Sequence, residues 1–99
     1  MEARVSTYAG PSERREELLH ALGRIAREVQ QLDGFRGAYV LVGRPCTQLV
    51  TMTVWESAEA VQASAAEAKK IRAQVAEESG QTIESVETCE VWLHLGPIR

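Results

Sequence analysis

Few side chains in this sequence combine reactivity with a position that can use it. Trp55 closes the run Leu49-Val50-Thr51-Met52-Thr53-Val54-Trp55 and is followed at once by Glu56 and Ser57. Uncharged, largely β-favouring residues ending in an indole, then a helix-capping serine, describe a strand that delivers a ring to the mouth of a helix. Such a ring either walls a pocket or fills a core. Arg72 is the physical oddity. Counted at about 100° per residue from Val61, it falls near the middle of an apolar stripe, between Ala68 and Val75. Either its stem covers apolar surface while its head reaches water, or the guanidinium faces inward and needs a partner such as a ligand carboxylate or phenolate. Tyr39 has the parity of Phe35 and Leu41, and offers either a pocket hydroxyl for proton transfer or a packed ring with its OH at the rim. His94, in step with Trp92 and Glu90, is a base, an interface residue or a plain exposed side chain.

Other chemistries find no support. His20 sits beside Glu16 and Glu17 on the solvated side of a helix pattern. Cys46 and Cys89 make no disulfide framework, and neither histidine has ligand-like spacing to a thiol, so no metal is expected. Gly34 and Gly37 bracket Phe35-Arg36 without building a phosphate loop, and G-x-S-x-G does not occur.

The elements that must position these residues can be read from punctuation and period. Ala3 to Tyr8 alternates as a strand, with Val5 and Thr7 on one face, and Gly10-Pro11-Ser12 stops it. Ser12 is the expected N-cap of a helix whose apolar positions Leu18, Leu22, Ile25, Val29 and Leu32 form one stripe, ended by Asp33-Gly34. Phe35 to Val42 is a second strand, Gly43-Arg44-Pro45-Cys46 a turn, and Thr47 to Trp55 a third strand. Ser57 caps a second helix that runs to about Ser79 and stops at Gly80, with Val61, Ala65, Ala68, Ile71 and Val75 facing inward. Ile83 to about Leu95 reads as a long fourth strand, closed by Gly96-Pro97.

The order β-α-β-β-α-β predicts an α+β, ferredoxin-like sandwich: a four-stranded antiparallel sheet with both helices on one face. Ninety-nine residues hold one domain, spanning 1–99. A chain this short buries only about 60–65% of its unfolded surface, which makes pairing with a second copy advantageous. The strands at Ala38 to Val42 and Leu49 to Trp55 carry no charge on either face, so the sheet face away from the helices also needs cover. A second subunit's sheet is the economical source. In Val91-Trp92-Leu93-His94-Leu95 large apolar residues occupy both parities, unsuited to water on either side. The net charge of −3 argues against a nucleic-acid surface. No run approaches the roughly 20 apolar residues of a membrane span, and the N-terminus lacks signal-peptide order, so the cytoplasm is the default compartment.

Phe35-Arg36-Gly37-Ala38-Tyr39 after a helix, and a strand ending Trp55-Glu56-Ser57 with Glu59-Ala60 following, resemble the antibiotic biosynthesis monooxygenase domain, a dimeric α/β-barrel. The resemblance covers nearly the whole chain. It implies a homodimer in which the C-terminal segment, here Val91, Trp92, Leu93 and His94, reaches the partner. It implies oxidation of a small aromatic or polyketide-like molecule by dioxygen with no cofactor, the substrate supplying the electrons as a carbanion or phenolate. Trp55 matches the family's pocket-lining tryptophan. An asparagine frequent on the family's first strand corresponds to about Thr7, or to Ser6 if the alignment slips, and Thr7 can substitute through its hydroxyl. The helix histidine usual ten residues after the tryptophan is Ala65 here, which removes the evident haem ligand. Trp55 and Thr7 are therefore the catalytic candidates, and Trp55, Tyr39, Arg72 and Ala65 the substrate-binding ones. The competing reading is a non-catalytic homodimer that binds a small ligand or serves structure alone. An open cavity beside Trp55 would separate the two.

Overall fold

A computed structural model describes residues 1–43 and 48–97. Four strands, β1 (Glu2–Ala9), β2 (Phe35–Val42), β3 (Gln48–Trp55) and β4 (Thr82–Glu90), and two helices, α1 (Arg15–Gln30) and α2 (Ala58–Ser79), follow in the expected order. The sheet is antiparallel, in the order β2-β3-β1-β4. The helices cover one face, and Tyr8, Leu18, Ile25, Leu49, Ile71 and Val75 form the core between the layers. This is the ferredoxin-like α+β sandwich. The expected turn at Arg44-Pro45-Cys46 and the strand start at Thr47 lie outside the described residues.

Local chemistry sets the helix ends. The Ser57 hydroxyl accepts the Ala60 N–H at 3.1 Å, the N-cap bond that the sequence led one to expect. At the other end Gly80 adopts φ +66°, and the Gln81 N–H reaches the Ala76 carbonyl at 3.0 Å. The first helix begins differently. Pro11, with extended backbone, accepts the Arg14 N–H, and residues Ser12–Arg14 form a single 3₁₀ turn before α1, so Ser12 is not the cap.

The fourth strand is shorter than expected. It ends at Glu90, which pairs with Glu2, and the Val91 N–H to the Met1 carbonyl at 2.9 Å follows that pair. Residues 91–97 continue with no ladder partner among the described residues.

Gly34 fixes the corner beside Trp55. Its φ is +84°, a Cβ there would lie 2.4 Å from the Ala60 Cβ, and its carbonyl accepts the Glu56 N–H at 2.8 Å. Gly34→Ala therefore meets left-handed strain of about 1–2 kcal/mol and a collision of about 1–3 kcal/mol. Urea unfolding should show a loss of roughly 2–4 kcal/mol from these two effects. A loss below 1 kcal/mol would mean that the corner relaxes freely.

Candidate active site

Alternation along β1 sends Arg4, Ser6 and Tyr8 toward the helices, and Val5 and Thr7 to the other face. Ser6 pairs with Thr51 and Arg4 with Thr53, so the inward residues of β1 and β3 make one floor, with Trp55 at its end. Leu22, Ile25 and Val29 of α1 and Ile71 and Arg72 of α2 close the space from above, leaving a largely apolar cavity of about 150 Å³. Val40, on the edge strand β2, borders it and is partly exposed.

Trp55 is 1% exposed. Its Nε1–H donates to Thr53 Oγ1 at 2.9 Å, and its ring meets Phe35 edge-on, centroids 5.7 Å apart. Arg4 Cζ stands 5.4 Å from the centre of the indole, within cation–π range. The Arg4 Nη2 donates to the Val61 carbonyl at 2.8 Å and to Ser64 Oγ at 3.3 Å. These contacts satisfy hydrogen bonds without neutralising charge. Burial pushes the Arg4 guanidinium below its usual range, and the positive charge of Arg72 adds to the effect. Arg72 is lowered in the same way by burial, partly opposed by Tyr8. Both remain cations, since guanidinium is not deprotonated at accessible pH. Arg72 shows no hydrogen bond or ion pair among the described residues, and since no unpartnered side-chain nitrogen there is sealed from solvent, its head keeps contact with water. Burial raises Tyr8 above the ordinary phenol value, with Arg72 partly offsetting this, so its hydroxyl is a neutral donor. Among the described residues, no carboxylate, imidazole or thiol borders the cavity.

Of the candidates read from the sequence, Trp55 and Arg72 are brought together here. Thr7 is not: it faces the opposite side of the sheet, and Ser6 holds the inward position. Ala65 is also displaced. It is exposed and off the cavity, because the inward stripe of α2 runs through Ser64, Ala68 and Ile71 instead. Tyr39 borders the cavity, but it pairs with Met52, and both also border the groove on the open face of the sheet. A bulge at Arg36, which has no opposite on β3, breaks the parity that Tyr39 and Phe35 share in the sequence. Val91, Leu93 and His94 border the open-face groove, and Trp92 is 87% exposed. Arg4 and Tyr8 were missed, and Ser6 entered only as the alternative to Thr7. Their signal was a period-two set opposite Val5 and Thr7, disguised because a charged residue occupied its buried side.

This arrangement, a ferredoxin-like sandwich with an aromatic cavity between helices and sheet, defines a class of small α+β proteins built around a ligand-sized space. The chain belongs to the antibiotic biosynthesis monooxygenase family, whose pattern it matches over residues 1–75. No curated protein matches it significantly by sequence. Among solved structures it is similar to a candidate antibiotic biosynthesis monooxygenase from Deinococcus radiodurans, with TM-score 0.78 and 16% identity over 100% of both chains. It is similar to the haem-degrader MhuD from Mycobacterium tuberculosis, with TM-score 0.73 and 25% identity over 97% of this chain and 100% of that one. SnoaB, a cofactor-independent oxygenase from Streptomyces nogalater, gives TM-score 0.75 and 16% identity over 97% of each chain.

MhuD was solved with two haems in its active site, so fit to haem is a fair question for this cavity. The residues do not suit it. Among the described residues no His, Cys or Met borders the space, and burial holds Tyr8 in its neutral form. A volume near 150 Å³ is that of a cavity filled by benzene, far short of a macrocycle.

Proposed function

We propose that this protein is a cofactor-independent monooxygenase acting on a small aromatic molecule. The observation that carries the reading is a cavity walled by Trp55 and holding two cations, with no side-chain base among the described residues. A phenol entering such a space gives its proton to solvent water, because Arg4 and Arg72 favour the phenolate, as fixed charges in a low-dielectric site do. The phenolate gives an electron to dioxygen. The resulting radicals combine at a ring carbon, forming a C–O bond to a peroxide. The peroxide O–O bond then breaks as the C–H proton leaves, giving a carbonyl and water. One oxygen atom stays on the ring, the other leaves as water, and the substrate supplies all four electrons. Trp55 and Phe35 hold the ring plane, and Tyr8 and Ser6 are placed to hydrogen-bond oxygen as charge develops.

Oxygen consumption with a panel of mono- and dihydroxyaromatics tests this. Turnover should fall at least tenfold in Trp55→Phe and in Ser6→Ala, while Thr7→Val should leave it unchanged. No oxygen uptake with any member of the panel would favour the non-catalytic ligand-binding reading. The pH profile is a separate check. With no carboxylate or imidazole among the described residues of the cavity, kcat/KM should rise with pH along the ionisation of the substrate, and its midpoint should move when a substituent changes the phenol's own pKa. A midpoint that stays fixed across substrates would point to a protein base instead.

We also infer a homodimer formed across the open face of the sheet. Tyr39, Leu41, Met52 and Val54 occupy that face by strand parity, and the apolar tail residues Trp92, Leu93 and Leu95 are largely exposed in one protomer. Exposed apolar area of this kind is the usual mark of an interface.

A further inference from the structure

We propose that the molecule taken by this cavity is a one- or two-ring aromatic carboxylate bearing a ring hydroxyl, with its carboxylate received by Arg72 and its hydroxyl oxygen in the field of Arg4. The inference rests on the reading of the cavity as a substrate site. Among the described residues, two guanidinium groups border a mainly apolar space, and no acidic side chain does. Arg4 and Arg72 are close enough for the charge of one to disfavour the other. A single phenolate answers one of these charges, and a substrate with a second anionic group answers both.

The two arginines differ in what they have left to offer. Arg4 is committed: it is 6% exposed, its Nη2 is bonded to Val61 and Ser64, and its guanidinium lies over Trp55. It supplies a fixed positive charge beside the indole. Arg72 is half-buried with its fork unengaged among the described residues, the state suited to bidentate capture of a carboxylate. Size follows from volume. About 150 Å³ accommodates one aromatic ring, and a second can extend toward the exposed Val40.

The test is calorimetric binding of 1-hydroxy-2-naphthoate, its methyl ester and 1-naphthol to the full chain. The acid should bind at least tenfold more tightly than the ester or the naphthol. Arg72→Gln should erase that preference while melting normally without ligand, and Arg72→Lys, which keeps the charge but not the fork, should restore part of it. Equal binding of acid and ester, binding of neither, or full acid preference in Arg72→Gln would overturn the assignment. Oxygen uptake with 1-naphthol but no acid preference would leave the monooxygenase reading standing and remove this one. Acid-selective binding without oxygen uptake would do the reverse.

Discussion

Trp55→Ala is expected to lower the unfolding free energy by about 3–5 kcal/mol, the usual loss for a fully buried large aromatic. Burial is only part of the effect. The substitution removes the edge contact with Phe35, strips Thr53 of its indole donor and takes away the ring beneath the Arg4 guanidinium. That cation is already desolvated, so losing its aromatic neighbour leaves it less well compensated. Urea denaturation at fixed protein concentration reads the effect, the fixed concentration being needed if the folded species is a dimer. Trp55→Phe keeps an apolar ring and should retain much of the stability. A loss under 1 kcal/mol in Trp55→Ala would show that the indole is not packed as described.

Ending the chain at Glu90 is the second large perturbation. Among the described residues, one backbone hydrogen bond, from Val91 to Met1, ties the start of the tail to its own sheet. Beyond it, Val91, Leu93 and His94 border a groove of about 470 Å³ opposite Tyr39, Met52 and Val54, with Trp92 and Leu95 turned outward, the latter 77% exposed. If a partner sheet buries Trp92 and Leu93, each contributes roughly 1.5–3 kcal/mol to association. Removing the tail should therefore weaken the dimer by several kcal/mol, visible in sedimentation as a shift toward the monomer mass at micromolar concentration. A truncated protein that stays dimeric at nanomolar concentration would show that the tail serves only its own subunit. A full-length protein that is monomeric at micromolar concentration would remove the dimer altogether.

The elements were legible where punctuation and period agreed. Ser57 and Gly80 mark the ends of α2 by backbone chemistry that needs no tertiary partner, and Asp33-Gly34 separates α1 from β2 for the same reason. Faces were harder. The bulge at Arg36 depends on how β2 meets β3, which no count along β2 alone can reveal, and it moved Tyr39 to the open side. Along α2 the inward stripe differs from the expected one at a single position, Ser64 in place of Ala65, because the many alanines give little contrast between inside and outside. Ser64 is buried on the strength of its own bond to the Val61 carbonyl and the one it accepts from Arg4. Arg4 itself was invisible for a related reason: a charged residue near a strand start reads as solvent-facing until the indole and helix carbonyl that hold it are known. The tail was mistaken for strand because apolar residues on both parities imitate one, whereas a strand also requires a neighbour with free backbone groups.

The position of β2 at the end of the strand order has a consequence for how the interior opens. Within a protomer this strand is hydrogen-bonded on one side only, to β3, while β3 and β1 are held on both. Local opening in proteins draws on the least protected elements and leaves the best protected intact. Peeling β2 outward breaks one ladder and uncovers the Val40 side of the cavity, without disturbing the β1–β3 floor or the Arg4–Trp55 stack. In hydrogen exchange, β2 amides should therefore trade protons by subglobal openings well before β1 and β3 do. The free energy that separates those two exchange classes sets how often the interior is exposed to bulk solvent, a frequency tunable by substitutions on β2 that leave the global stability unchanged.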